Sequence, residues 1–180
     1  MKLFRFLNKN NPAFKCDCCG KEYKEIPLCF GADYPYHYLS IPKSELEERV
    51  ELEKSLCVID DTHFFHRGRL IIPINNYPDE LIFNVWTSIS KENFEKRMDL
   101  WNDEKRTKEE PYFGWLQTNV PTYGETINIK AIALEEAAGK IPTIKSIEEN
   151  HKLTIDQQNG ISYSKAKKIV SFILAQEHST

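Results

Sequence analysis

The middle of this chain is a series of short apolar runs separated by turn residues, and this pattern constrains the fold more than any other feature. The clearest runs are 56–60, 69–74 and 81–88. Runs of this length that are rich in β-branched and aromatic residues are typical of β-strands. In the last run, alternate positions from Leu81 to Val85 are all apolar, which predicts a strand with one apolar and one mixed face.

Further strand and helix signals lie on both sides of these runs. The predicted strands are 112–119, 126–134 and 141–147, and the predicted helices are 43–54, 91–102 and 162–176. Strands grouped in the middle, with helices inserted or appended, favour an α+β fold over a parallel βαβ sheet. We therefore expect a mainly antiparallel sheet with two to three packed helices.

The helix at 91–102 has the clearest internal pattern. Ser90 is a good N-cap, and Phe94, Met98 and Trp101 recur at spacings of four and three, which predicts a buried stripe. The run 103–110 that follows has no apolar residue and is interpreted as a solvated loop or helix end.

Size and charge limit the classes of protein and of partner. The 180 residues are interpreted as a flexible N-terminal arm, 1–13, and one domain, 14–180. The net charge of −3 offers no general attraction to nucleic acid or to an anionic membrane. No apolar run reaches the roughly 18 residues that a membrane span needs. We expect a cytoplasmic protein, and the oligomeric state stays open.

Three of the five cysteines lie within four positions, at Cys16, Cys18 and Cys19. A C-x-x-C turn closed by glycine supplies two thiolates to one cation, which is half of a structural zinc site. The remaining ligands would come from two of Cys29, Cys57 and His63. The leading set for this N-terminal zinc knuckle is Cys16, Cys19, Cys57 and His63. The alternatives are a loop of reduced thiols and a redox pair.

The segment 60–69 collects polar groups between two predicted strands. It carries two carboxylates, two imidazoles and two guanidiniums, from Asp60, Asp61, His63, His66, Arg67 and Arg69. Such groups can hold a metal, position a general base or bind a phosphate. A hairpin turn also collects polar residues for structural reasons, and Asp60 could pair with Arg67 across the strands.

Aromatic residues are concentrated in two further segments, the loop 30–38 and the run 111–115. Rings of this kind line grooves for peptides or small planar ligands, and they also fix long loops onto sheets. With the guanidiniums above, the candidate ligand-binding residues are Asp33, Arg67, Arg69 and Trp115.

Several short motifs occur in a recognisable order: Cys16-x-x-Cys19-Gly20, Phe30-x-Ala32-Asp33-x-Pro35, Cys57-Val58-Ile59-Asp60, Phe64-Phe65-x-Arg67-Gly68 and Pro111-Tyr112-Phe113-Gly114-Trp115-Leu116. Through them, residues 14–161 resemble a bacterial family catalogued as domain of unknown function 2199. The resemblance implies a compact bacterial cytosolic domain and no particular activity. Tyr23 stands where such sequences tend to have a histidine, so no ligand role carries over to that position.

The sequence lacks a phosphate-binding glycine loop, a G-x-S-x-G elbow, an H-E-x-x-H motif and a dinucleotide fingerprint. The leading hypothesis is a non-catalytic binding or interaction domain, with one zinc ion as a candidate stabiliser, that recognises a protein partner or a small ligand. In it, the aromatic loop and the 60–69 segment form one surface. The alternative is a small metal- or His/Asp-dependent hydrolase or transferase that uses His63 or His66 with Asp60 or Asp61.

Overall fold

The computed structural model describes residues 14–16 and 20–177, which form an α+β structure. The strands are β1 (Phe14–Lys15), β2 (Glu22–Tyr23), β3 (Cys29–Gly31), β4 (Val50–Leu52), β5 (Leu56–Ile59), β6 (His63–Ile72), β7 (Leu81–Ile89), β8 (Tyr112–Trp115), β9 (Lys130–Leu134) and β10 (Thr143–Ser146). The α-helices are α1 (Leu46–Arg49), α2 (Lys91–Asp99), α3 (Lys152–Asn159) and α4 (Tyr163–Glu177). The predicted flexible arm, 1–13, lies outside the described residues.

The main sheet is mixed, so the prediction of a mainly antiparallel sheet was wrong. Its strand order is β3-β7-β6-β10-β9-β8, and β5 pairs with β6 while β4 pairs with β5. The chain from β4 to β7 runs antiparallel throughout, as consecutive hairpins do. However, β3 lies parallel to β7, and β10 lies parallel to β6. These parallel pairs join segments that are distant in sequence.

The sheet curls so that its end strand returns to β7. Directly after β8, the backbone N–H of Gln117 donates to the carbonyl of Trp86 at 2.7 Å, and Thr118 Oγ1 accepts from the Trp86 N–H at 2.8 Å. Leu116 forms a β-bridge with Thr87. The main hydrophobic core fills the inside of this curl and is covered by α3 and α4; its fully buried members are Leu70, Ile72, Leu81, Val85, Leu116, Ile144, Leu153 and Ala166.

Strand β6 separates two cores because its side chains alternate between the sheet faces. Leu70 and Ile72 belong to the main core. Phe65 points to the other face and packs with Cys57, Ile59, Trp86 and Ile41 in a second core. A third, smaller cluster joins the N-terminal hairpin to α4 and contains Phe14, Cys16, Ile26, Val170 and Leu174.

The predicted helix 43–54 is α-helical at only four residues. A 3₁₀ turn covers Lys43–Glu45, α1 follows for four residues, and Val50–Leu52 is the strand β4. The backbone of β4 pairs with β5 in the register Val50 to Ile59, and this tertiary pairing overrides the helical propensity of the segment.

Helix α2 begins as predicted, because Ser90 Oγ accepts from the Asn93 N–H at 3.2 Å. Its buried face differs from the prediction: Met98 is 43% exposed, and Arg97 is buried. The described part of the chain has four α-helices rather than two or three, and α3 is the one without a matching prediction. Within the described residues, no helix combines the length and the apolar character that crossing a membrane requires.

Candidate functional site

A cleft of about 480 Å³ lies where the aromatic loop meets the beginning of β6. The loop contributes Tyr36 and His37, and β6 contributes His63 and Phe65. The opposite side is formed by the segment after β8, together with Trp115. Hence residues from three separate parts of the sequence share one concave surface.

Hydrogen bonds and ring contacts hold the loop against the sheet. The loop residues Tyr36–Ser40 form a 3₁₀ turn, and the Tyr36 N–H donates to the carbonyl of Gln117 at 2.7 Å. The His37 ring lies 4.7 Å from the His63 ring and 5.9 Å from the Phe65 ring, measured between ring centres. The predicted aromatic loop and the beginning of the 60–69 segment are therefore in direct contact.

Among the residues that the structure describes, no Asp, Glu, Lys or Arg side chain lines the cleft. The pKa of His37 is lowered, first by burial and then by the neighbouring His63, while Asp60 acts in the opposite direction. His37 is thus neutral at pH 7. Polar groups include the Gln117 side chain, which donates to Asn128 Oδ1 at 2.6 Å. The described lining therefore has no permanently charged side chain but has hydrogen-bonding groups.

Large apolar side chains at the cleft remain exposed to solvent. Tyr36 is 53% exposed, Leu39 is 59% exposed and Trp115 is 42% exposed. Phe113 lies edge-on to Trp115, with ring centres 5.2 Å apart. Exposed rings next to a concave polar surface are typical of binding sites.

The carboxylates of the 60–69 segment do not line this cleft. Asp60 accepts two hydrogen bonds from Arg49, each of 2.7 Å, and this interaction lowers the pKa of Asp60. Asp60 and Asp61 both have left-handed backbone conformations, with φ of 54° and 53°, and form the turn between β5 and β6. Asp60 therefore pairs with Arg49 rather than with Arg67.

His66 lies on the opposite face of the sheet from His63. It is 1% exposed, and its Nδ1 lies 3.4 Å from Arg97 Nη1. Burial and then the charge of Arg97 lower the pKa of His66 well below its ordinary value. Of the four residues named for the catalytic alternative, only His63 lines the cleft. Because β6 begins at His63, side-chain alternation from that residue would have separated the two histidines.

The four predicted ligand-binding residues are not in one place. Trp115 lines the cleft, whereas Asp33 and Arg67 line a separate groove of about 430 Å³ beside β3 and β7. The Arg67 guanidinium lies 6.0 Å from the Trp86 ring centre, and its Nη1 is 3.5 Å from the Lys54 carbonyl oxygen. Arg69 lines neither the cleft nor the groove.

The predicted metal ligands also lie in different places. Cys16 is in the cluster with α4, Cys57 is in the second core, and His63 is in the cleft. Burial raises the pKa of Cys57 to about 12, which favours the thiol over the thiolate that binds metal. Cys18 and Cys19 lie outside the described residues. Among the described residues, no group of three or more His, Cys, Asp and Glu side chains could hold a metal ion.

Sequence reasoning missed several residues of functional interest. Ser88, Gln117 and Asn128 line the cleft, yet each is an isolated polar residue in or beside a strand and gives no pattern. A buried ionic cluster was also missed: Arg97 and Arg106 both bond to Glu135. Arg106 belongs to the run 103–110, which was interpreted as solvated, but it is 2% exposed.

The comparisons with known proteins agree with the motifs. A family model described as "Uncharacterized protein conserved in bacteria (DUF2199)" matches residues 15–161. The match covers most of the chain, which therefore belongs to this bacterial family, as the resemblance predicted. No curated protein and no solved structure matches the chain.

Proposed function

We propose that this protein is a non-catalytic binding domain whose cleft takes a small, neutral, flat ligand with hydrogen-bonding groups at its edge. The observation that carries the proposal is the contact between His37 and His63, with ring centres 4.7 Å apart, in a cleft that Tyr36 and Trp115 also line. The ligand is either free or a planar side chain of a protein partner.

The chemistry of the lining supports a neutral ligand. A charged ligand would lose its hydration on entering the cleft, and none of the described lining side chains carries a permanent charge to compensate. A flat apolar face could stack on the exposed rings, while Ser88, Gln117 and Asn128 supply hydrogen-bonding groups. Stacking and a few placed polar groups together are the usual basis of small-molecule recognition.

The positions of the acidic residues support binding rather than catalysis. A histidine general base is normally oriented by a third group, often a carboxylate. Asp60 is held by Arg49, and within residues 14–16 and 20–177 no aspartate or glutamate lines the cleft. His66 faces another part of the molecule, so it cannot act with His63 on one substrate.

The proposal can be tested with saturation-transfer NMR and a library of neutral heteroaromatic amides. We expect fragments that bind the wild-type protein to lose about tenfold in affinity with Trp115→Ala, because that change removes a stacking surface. Phe172→Ala is the matched control, since Phe172 is 45% exposed on α4 and does not line the cleft.

Either of two results would contradict the proposal. If bound fragments are unaffected by Trp115→Ala, the cleft is not the binding site. If the wild-type protein converts a bound fragment to product and His63→Gln does not, the catalytic alternative is correct.

A further inference from the structure

Six polar side chains lie together in the interior beneath α2. They come from three strands, from α2 and from the segments after α2 and β9, and are His66, Thr87, Arg97, Arg106, Tyr112 and Glu135. The side chain of Glu135 is 1% exposed, and no other member is more than 4% exposed. None of them lines the cleft or the groove, so this cluster is separate from the binding site proposed above.

The cluster has an excess of positive charge. Glu135 accepts from Arg97 through one carboxylate oxygen and from Arg106 through the other. The guanidiniums of Arg97 and Arg106 also lie 5.6 Å and 5.7 Å from the Trp101 ring centre. His66 is neutral, because burial and Arg97 lower its pKa. Two cations and one carboxylate leave a net charge of +1 in a buried place, which is unfavourable without an anion.

Arg106 and Arg97 differ in which of their guanidinium nitrogens donate hydrogen bonds. Arg106 bonds through Nε at 3.0 Å and through Nη2 to Glu135, and through Nη1 to the Trp101 carbonyl at 3.0 Å. Arg97 uses only Nη1. Its buried Nε and Nη2 have no hydrogen-bond acceptor among the described residues. These two atoms form the edge of the guanidinium that presents parallel N–H groups to an anion.

Two hydroxyls with no partner belong to the same cluster. Tyr112 Oη and Thr87 Oγ1 are buried and have no hydrogen-bond partner within the described part of the chain. Thr87 is directly opposite His66 in the pairing of β6 with β7, and His66 is in contact with Arg97. The charges of Glu135 and Arg97 both act on Tyr112. Four unused donor atoms therefore belong to three side chains of this cluster, whose net charge is +1.

We propose that the Nε–Nη2 edge of Arg97 binds one small monovalent anion of halide size, with the Tyr112 and Thr87 hydroxyls as further donors. One negative charge balances the excess positive charge. The N–H and O–H donors supply the hydrogen bonds that an anion needs when it is removed from water. A single small ion is proposed because Arg97, Tyr112 and Thr87 are at most 4% exposed.

The test measures thermal unfolding while chloride replaces gluconate at constant ionic strength. An anion that binds only the folded protein raises the unfolding midpoint, and we expect a saturable rise of about 4 °C by 200 mM chloride. In Tyr112→Phe and Thr87→Val, which retain the shape of the side chain, the half-saturating chloride concentration should rise at least threefold. Arg49→Gln, which changes an arginine at the turn, should respond as the wild-type protein does.

Crystals grown in bromide give an independent result, since bromide is located by its anomalous scattering. The proposal predicts a peak within hydrogen-bond distance of Arg97 Nε. It is overturned if the unfolding midpoint stays the same when chloride replaces gluconate at constant ionic strength. It is equally overturned if Tyr112→Phe raises the midpoint without changing the chloride response, because the hydroxyl would then be only an unsatisfied group.

Discussion

At the scale of single residues, two histidines of strand β6, His63 and His66, differ in their exposure to solvent. His63 is exposed and contacts His37 in the cleft. His66 is buried against Arg97, and both burial and that charge disfavour its protonated form. The unfolded chain, in contrast, can protonate His66 at the ordinary pKa of 6.5. Acid should therefore favour unfolding.

We predict that His66→Leu makes the stability less dependent on pH. Below pH 6.5 the unfolded state binds more protons than the folded state, because His66 resists protonation when it is buried. The stabilising contribution of neutral His66 to the free energy of unfolding is therefore complete above pH 6.5 and is lost as the pH falls. One neutral buried histidine adds up to about 1.4 kcal/mol per pH unit to the slope. Urea unfolding of both proteins from pH 7.5 to 5.5 measures how the free energy of unfolding changes with pH. Equal slopes for the wild-type protein and His66→Leu would contradict the prediction.

Residue-level burial was only partly predictable. Periodicity indicates which positions of a helix share a face, but it assigns the interior to apolar side chains. In α2 the interior position belongs to Arg97, while Met98 is exposed. The reason is Glu135, which is far away in sequence and supplies the carboxylate that stabilises the guanidinium.

At the scale of elements, the return of β8 to β7 shapes the cleft. Ser88 Oγ accepts from the Trp115 N–H at 2.9 Å, and Gln117 bonds to Trp86. Gly114, the residue before Trp115, lies directly against the backbone of Ser88. A Cβ atom at position 114 would overlap the Ser88 carbonyl oxygen. The glycine is therefore required by the close approach of two strands.

We predict that Gly114→Ala destabilises the protein by about 3 kcal/mol or more, since the clash is with backbone that cannot rotate away. Phe113→Ala, one residue earlier and 46% exposed, should cost about 1 kcal/mol or less. Chemical unfolding of the two variants measures the difference. A loss for Gly114→Ala no larger than that for Phe113→Ala would mean that the two strands do not approach so closely.

The elements themselves were predicted with uneven success. The strands near 56–59 and 81–89 and helix α4 are confirmed, because each has a strong local pattern. The predicted helix 43–54 became mostly turn and strand. The spacing of its polar residues fits a helix, but pairing with β5 decides the conformation of its last part. The sequence of the segment itself gives no indication of that pairing.

At the scale of the whole molecule, the sheet keeps the cysteines of the proposed zinc site apart. Cys57 is fully buried in the second core with Trp86, while Cys16 packs with Val170 of α4 in the third cluster. Cys29 is exposed and lines the groove. A zinc ion that joined Cys16 to Cys57 would have to disrupt at least one of these cores.

We predict that Cys57→Ala leaves the zinc content unchanged, whatever that content is in the wild-type protein. The alanine removes a thiol that burial keeps protonated, with a pKa of about 12. Elemental analysis of the two folded proteins, purified in parallel without added metal, measures zinc per chain. A loss of zinc in Cys57→Ala alone would show that this thiol is a ligand and that the cores are arranged differently.

The sequence by itself determined which segments form strands and helices in most of the chain, where α2 begins, and to which family the protein belongs. Only the tertiary structure decided that β3 pairs parallel with β7 and β10 with β6, that β8 returns to β7, and that His37 meets His63. The physical reason is that periodicity and capping act between neighbouring residues. The partner of a sheet edge and the counter-charge of a buried arginine come from distant residues, which meet only when the chain has folded.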